Sequence, residues 1–137
     1  MQTQPYLVFE GRCEEALQFY HRTIGAEVTM LLRFKDAPKG EQGGPPAVLS
    51  EKVMHSNVRI GDTTILASDG RCSGHPNFQG FSLALTTAND AEAKRAFAAL
   101  SEGGQVQQPL TKTFFSSLFG ILTDRFGVSW MVYVPMQ

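Results

Sequence analysis

Glu15-Ala16-Leu17-Gln18-Phe19-Tyr20, running on to Gly25-Ala26-Glu27-Val28, is echoed by Glu92-Ala93-Lys94-Arg95-Ala96-Phe97, running on to Gly103-Gly104-Gln105-Val106. Each copy reads as a short amphipathic helix that stops at glycine and turns into a strand. In the first, Ala16, Phe19, Tyr20 and Thr23 fall at i, i+3, i+4 and i+7, with Leu17 and Ile24 widening the apolar stripe. In the second, Ala93, Ala96, Phe97 and Leu100 repeat that spacing. Asn89 with Glu92 supplies an N-cap pair, and Gly25 and Gly103-Gly104 supply the stops.

Strands surround both helices. Tyr6-Leu7-Val8-Phe9 and Phe81-Ser82-Leu83-Ala84-Leu85 precede them, each a short run rich in β-formers. After the first helix, strands are expected over 28–34, 52–60 and 63–68, the last two joined through Gly61-Asp62. After the second, they are expected over 106–109, 118–123 and 128–134, with Asp124-Arg125-Phe126-Gly127 as a connection. The expected architecture is α+β: two βαβββ modules, about 5–69 and 80–135 of a single domain, pairing into curved sheets around a central cleft with the helices on the outer faces. Within the first module, between its second and third strands, 36–46 holds three glycines and three prolines. That composition reads as a loop, either a solvated excursion or a flap over the cleft mouth.

Composition narrows the class. The chain of 137 residues carries a formal net charge of −1, and its Lys and Arg residues are scattered rather than striped, which argues against a nucleic-acid partner. No apolar run approaches the ~18 residues that a membrane span requires, and Met1-Gln2-Thr3-Gln4-Pro5 lacks the layout of a signal peptide. Cys13 and Cys72 stand alone, without CxxC spacing, so they read as reduced thiols in a cytoplasmic protein; a disulfide between them is the disfavoured alternative.

Alternation then sorts the strand faces. Met54, Val58 and Ile60 should meet the helix, leaving His55, Asn57 and Arg59 toward the cleft or solvent. Val128, Trp130, Val132 and Val134 form a second core face, with Met131 and Tyr133 opposite; Ser82, Ala84 and Thr86 oppose Leu83 and Leu85. His75, in Gly74-His75-Pro76, reads as a solvated loop histidine, and His21 as exposed. Asp69 and Asp124 read as turn residues.

Laid out in this order, the chain resembles the vicinal-oxygen-chelate superfamily of glyoxalase I, extradiol dioxygenases, bleomycin-binding proteins and fosfomycin-resistance enzymes, and within it the branch around the phosphonate-operon protein PhnB. The likeness is carried by Tyr6-Leu7-Val8-Phe9-Glu10-Gly11, Ala16-Leu17-Gln18-Phe19-Tyr20, Gly25-Ala26-Glu27 and His55-Ser56-Asn57-Val58-Arg59-Ile60-Gly61. It continues through Thr113-Phe114-Phe115, Phe119-Gly120 and the run from Thr123 to Val132. Families near PhnB are often labelled demethylubiquinone methyltransferases, yet the glycine-rich strand-to-helix turn of an adenosyl-cofactor site is missing from this chain.

Metal-dependent members place His, Glu or Gln on one inward position in each of four strands. Carried over, those positions fall at about Tyr6, Leu66 or Ala67, Ser82 and Met131, with Gln4 one alternation before Tyr6. These side chains are poor donors for a divalent first-row metal, so neither a metal nor another cofactor is expected. The preferred reading is a small-molecule-binding protein in which His55, Asn57, Arg59, Ser82, Phe115, Met131 and Tyr133 hold an organic ligand, with Phe115 as an aromatic wall. The alternatives are a lyase or isomerase, metal-independent or with an unusual metal, using His55 as acid-base, and a structural module with a vestigial cleft. The resemblance also implies a homodimer.

Overall fold

The computed structural model describes residues 1–37 and 49–136. The expected flap therefore lies, apart from Asp36 and Ala37, outside the described residues. The chain divides into two compact units, Met1–Pro76 and Asn77–Gln137, and each repeats the same construction.

In the first unit, β1 (Tyr6–Val8) leads into α1 (Cys13–Ile24), followed by β2 (Glu27–Arg33), β3 (Val53–Ile60) and β4 (Thr63–Ser68). The sheet order is β1-β4-β3-β2. β1 and β4 run parallel, and the other pairs are antiparallel. β3 and β4 join through the two-residue turn Gly61-Asp62, whose glycine takes the left-handed φ of 58°. The second unit holds β5 (Leu83–Thr86), α2 (Asp90–Ser101), β6 (Gln105–Thr111), β7 (Ser116–Thr123) and β8 (Ser129–Pro135). Its order, β5-β8-β7-β6, is the first unit's order again, with β5 and β8 as the parallel pair. Two mixed four-stranded sheets, each with one helix, confirm the duplicated βαβββ reading.

The helices bury the stripes that the spacing predicts. Cys13, Ala16, Leu17, Phe19 and Tyr20 are buried on α1, and Ala93, Ala96, Phe97 and Leu100 on α2. Gly25 ends α1 at φ 70°, its N–H donating to the His21 carbonyl. Asn89 caps α2 by accepting from the Glu92 N–H at 2.9 Å. That helix ends at Ser101, with Glu102 as its C-cap, so the Gly103-Gly104 pair lies just past the stop.

Some boundaries differ from expectation. β6 continues through Pro109 to Thr111, because it is an edge strand paired only with β7 and a missing N–H there costs no ladder bond. Phe34 leaves the sheet for a single 3-10 turn, Phe34–Asp36, in which the Asp36 carboxylate accepts from the Arg33 N–H at 2.8 Å.

Two buried carboxylates do more than form turns. Asp69 accepts backbone N–H bonds from Gly11 and Cys13 at Oδ1 (3.0 and 2.7 Å) and from Val53 at Oδ2 (2.7 Å). It thereby ties the entry to α1 and the start of β3 to the end of β4. Asp124 accepts from the N–H groups of Phe126 and Val128 at Oδ1, and its Oδ2 takes the indole N–H of buried Trp130 at 2.9 Å. The partners of Asp69 are distant in sequence and carry no local signal, whereas those of Asp124 lie two to six residues on, so its turn reading holds and gains the bond to the Trp130 indole.

Candidate functional site

From His55 to Arg59, past a register shift that leaves Val53 buried and Met54 only half-buried at the strand's start, β3 builds the first set of polar groups by alternation. Ser56 and Val58 are fully buried on the side that meets α1. The Ser56 hydroxyl donates to the Ala67 carbonyl at 2.7 Å. His55, Asn57 and Arg59 point to the other side. There the ladder sets Tyr6, Leu66, Asn57 and Met30 in one row and Leu32 beside His55 in the next.

On that face three side chains connect. The Tyr6 hydroxyl and His55 Nδ1 are 3.0 Å apart, and His55 Nε2 and Asn57 Oδ1 are 3.0 Å apart. The Tyr6 and His55 rings also stack at a tilt, 5.6 Å between centroids. Arg59 does not join them: it is exposed and donates to Glu27 at 2.6 Å across the β2–β3 pair. His75 is exposed on its loop, and the exposed His21 engages the Ala26 carbonyl through Nδ1 at 2.9 Å.

In the second unit, Trp130, Val132 and Val134 are buried on the α2 side, where Phe97 crosses Gly120. Met131 and Tyr133 lie on the opposite face, in register with Ala84 and Ile121 and with Thr86 and Phe119 respectively. Ser82 meets Ser129, hydroxyl to hydroxyl, at 2.7 Å. Phe115 sits in a line of rings: it packs edge-on against Phe119 at 5.3 Å, and Phe119 lies 6.4 Å from Tyr133. Phe114, its neighbour, is 94% exposed, while Phe115 is 45% exposed. The turn that presents them is braced, since Thr113 and Ser116 share a hydroxyl–hydroxyl bond and the Phe115 carbonyl accepts from the Met136 N–H.

A further feature was not expected from sequence. A groove of about 330 Å³ lies along the α1 side of β2, lined by Glu14, Leu17, Gln18, His21, Ala26, Val28 and Leu31. It lies across the sheet from His55. Its apolar lining combines Leu17 of the α1 stripe with Ala26, Val28 and Leu31, whose faces the sequence reading left unsorted.

Neither metal nor adenosyl cofactor fits these residues. Tyr6 and Leu66 are paired in the first sheet, and Ser82 and Met131 belong to the second unit; phenol, alkyl, hydroxyl and thioether groups are weak donors for a divalent ion. Gln4 donates its amide N–H to the Thr64 carbonyl, and its amide oxygen by itself is a weak donor without imidazole or carboxylate partners. Among the described residues no group of three or more His, Cys, Asp or Glu side chains could hold a metal ion. At the β1–α1 turn, where a nucleotide-type cradle would need free N–H groups, those of Gly11 and Cys13 already serve the Asp69 carboxylate. Both thiols are free. No helix among the described residues is long and apolar enough to cross a membrane.

The geometry defines a class: duplicated βαβββ chains with polar and aromatic side chains set on sheet faces away from their helices. Solved glyoxalase/bleomycin resistance/dioxygenase proteins from Frankia sp. EAN1pec and Burkholderia phytofirmans PsJN share this fold, with TM-scores of 0.65 and 0.62 at 9% and 10% identity. The Frankia match covers 100% of this chain and 93% of that one, and the Burkholderia match 98% and 96%.

Nearer relatives narrow the class to a family. The family model described as 3-demethylubiquinone-9 3-methyltransferase matches residues 1–133, and the chain belongs to that PhnB-like family. Protein YjdN of Escherichia coli K12 is 36% identical over 143 residues, covering 100% of this chain and 97% of the relative. The crystal structure of protein PA1353 from Pseudomonas aeruginosa is similar at a TM-score of 0.84 and 40% identity, covering 100% of this chain and 99% of that one. A PhnB protein from Bacillus cereus, described as a putative 3-demethylubiquinone-9 3-methyltransferase, follows at 0.78 and 26%, covering 98% and 99%.

Proposed function

We propose that this chain binds a small organic molecule through its sheet faces, without a divalent metal. One observation carries the reading: hydrogen-bonding side chains that engage one another are set among apolar ones that are not packed away. Tyr6, Met30 and Leu32 are exposed around the Tyr6–His55–Asn57 chain. A few fixed polar groups in an apolar surround are how proteins orient organic ligands. In the second unit, Phe115, Phe119 and Tyr133 offer contiguous aromatic area, edge-on and tilted, with Met131 as an adaptable neighbour and Ser82 as a hydroxyl. Arg59 is assigned a peripheral orienting role, since its guanidinium is engaged with Glu27.

The engagement of both His55 nitrogens favours binding over acid-base catalysis, because a general base needs a nitrogen available to the substrate. Homodimerisation is carried over from the superfamily resemblance as part of this proposal, and sedimentation equilibrium tests it. The binding reading is tested by thermal shift against a library of aromatic compounds in the presence of chelator. Stabilisation by several compounds, reduced in Tyr133→Ala and in His55→Ala, supports it; a shift restored only by added metal contradicts it.

A further inference from the structure

The Tyr6–His55–Asn57 chain has a direction, and the direction specifies a ligand. Asn57 Oδ1 can only accept, so at 3.0 Å from His55 Nε2 it places a proton on that nitrogen. In the neutral ring Nδ1 is then a lone-pair acceptor, and the Tyr6 hydroxyl 3.0 Å away must donate to it. With its single proton committed, the Tyr6 oxygen has only lone pairs left to offer. The residue is 46% exposed, and its row continues through Leu66 to Asn57 and Met30.

We propose that Tyr6 is a ligand-contacting residue whose oxygen accepts a hydrogen bond, so that the face selects aromatic molecules carrying an O–H or N–H donor, such as phenols and anilines. His55 acts as a positioning residue that sets the polarity of Tyr6, and Asn57 sets the tautomer of His55. This rests on the binding reading above and adds to it the contact residue and the ligand class.

Two measurements test it. The first needs no ligand: ¹⁵N chemical shifts of the His55 imidazole at neutral pH. The Nε2–H tautomer is expected in the wild type, with the preference lost in Asn57→Leu; an Nδ1–H tautomer in the wild type overturns the proposal. The second compares 2-naphthol with 2-methoxynaphthalene, which keeps the rings and removes the donor. The naphthol is expected to bind about tenfold more tightly, the ratio that one net hydrogen bond of roughly 1.4 kcal/mol supplies. Tyr6→Phe should abolish the ratio while leaving methoxynaphthalene binding in place. Equal binding of the two probes to the wild type overturns the role of Tyr6 and leaves the binding reading standing. Binding of neither probe overturns both.

Discussion

The carboxylate of Asp69 and the backbone nitrogen of Cys13 stand 2.7 Å apart, both buried, so that the residue just after β4 closes the first turn of α1. Because the same side chain also holds Gly11 and Val53, its loss strands three donors at once. Asp69→Ala should destabilise the protein by roughly 3 kcal/mol or more, since hydrogen bonds to a charged group are the strong ones and unsatisfied buried donors are costly. Asp62→Ala, on an exposed turn, should change stability by less than about 0.5 kcal/mol. Urea unfolding of the two variants checks the contrast.

Cys13 shares that environment. Burial, with the nearby Asp69 charge adding to it, pushes its thiol up from 9.0 to about 12. A folded value above the unfolded one means that the native state holds its proton longer. This stabilisation is complete below about pH 9 and is lost as pH rises toward about 12. At pH 8 a thiol reagent should label the half-buried Cys72 first and Cys13 only at the rate of unfolding. Labelling of Cys13 in the native state at the rate of Cys72 would contradict this.

Glu14 and Arg33 give the opposite sign. The hydrogen bond from Arg33, at 2.7 Å, holds the Glu14 carboxyl below its ordinary value. The pair therefore contributes above the ordinary value of 4.5 and is lost as pH falls through the lowered one. Both side chains reach solvent, so Glu14→Gln should cost only about 0.5 kcal/mol at pH 7, less in high salt, and nothing measurable near pH 2. Thermal unfolding across that pH range measures it.

The repeat itself yields a test. Ala26 and Gly104 occupy corresponding places in the two echoed stretches, yet a Cβ at Gly104 would collide with the Thr123 carbonyl oxygen and the Asp124 backbone. Ala26, by contrast, is accommodated in the core. Gly104→Ala should destabilise by roughly 2 kcal/mol because backbone must move, whereas Ala26→Gly should cost about 1 kcal/mol or less. Denaturant midpoints of the two variants decide it.

Much of the fold was legible because the chain writes the same periodicity twice, once in each module. The α2 stripe at Ala93, Ala96, Phe97 and Leu100, the Asn89 cap and the Gly25 stop all depend on neighbours within a turn or two. His55 and Asn57 on one face of β3, and Met131 and Tyr133 on one face of β8, follow from a period of two. The contacts that cross the chain did not show. Tyr6 joins His55 across 49 residues, and Asp69 reaches Cys13 across 56. Such pairs are created by how the strands and turns are brought together, and a single sequence read alone offers no signal for it. The groove at β2 escaped for a related reason, since alternation reports which side a residue faces and not whether that side is filled.

The most direct test of ligand binding at these faces is a protein-observed NMR screen of aromatic fragments with chelator present. Binders are expected to perturb His55 and Asn57 in the first unit, or Phe115, Met131 and Tyr133 in the second. Perturbations confined to Leu17, Val28 and Leu31 in the α1 groove, or no perturbation by any fragment, would contradict it.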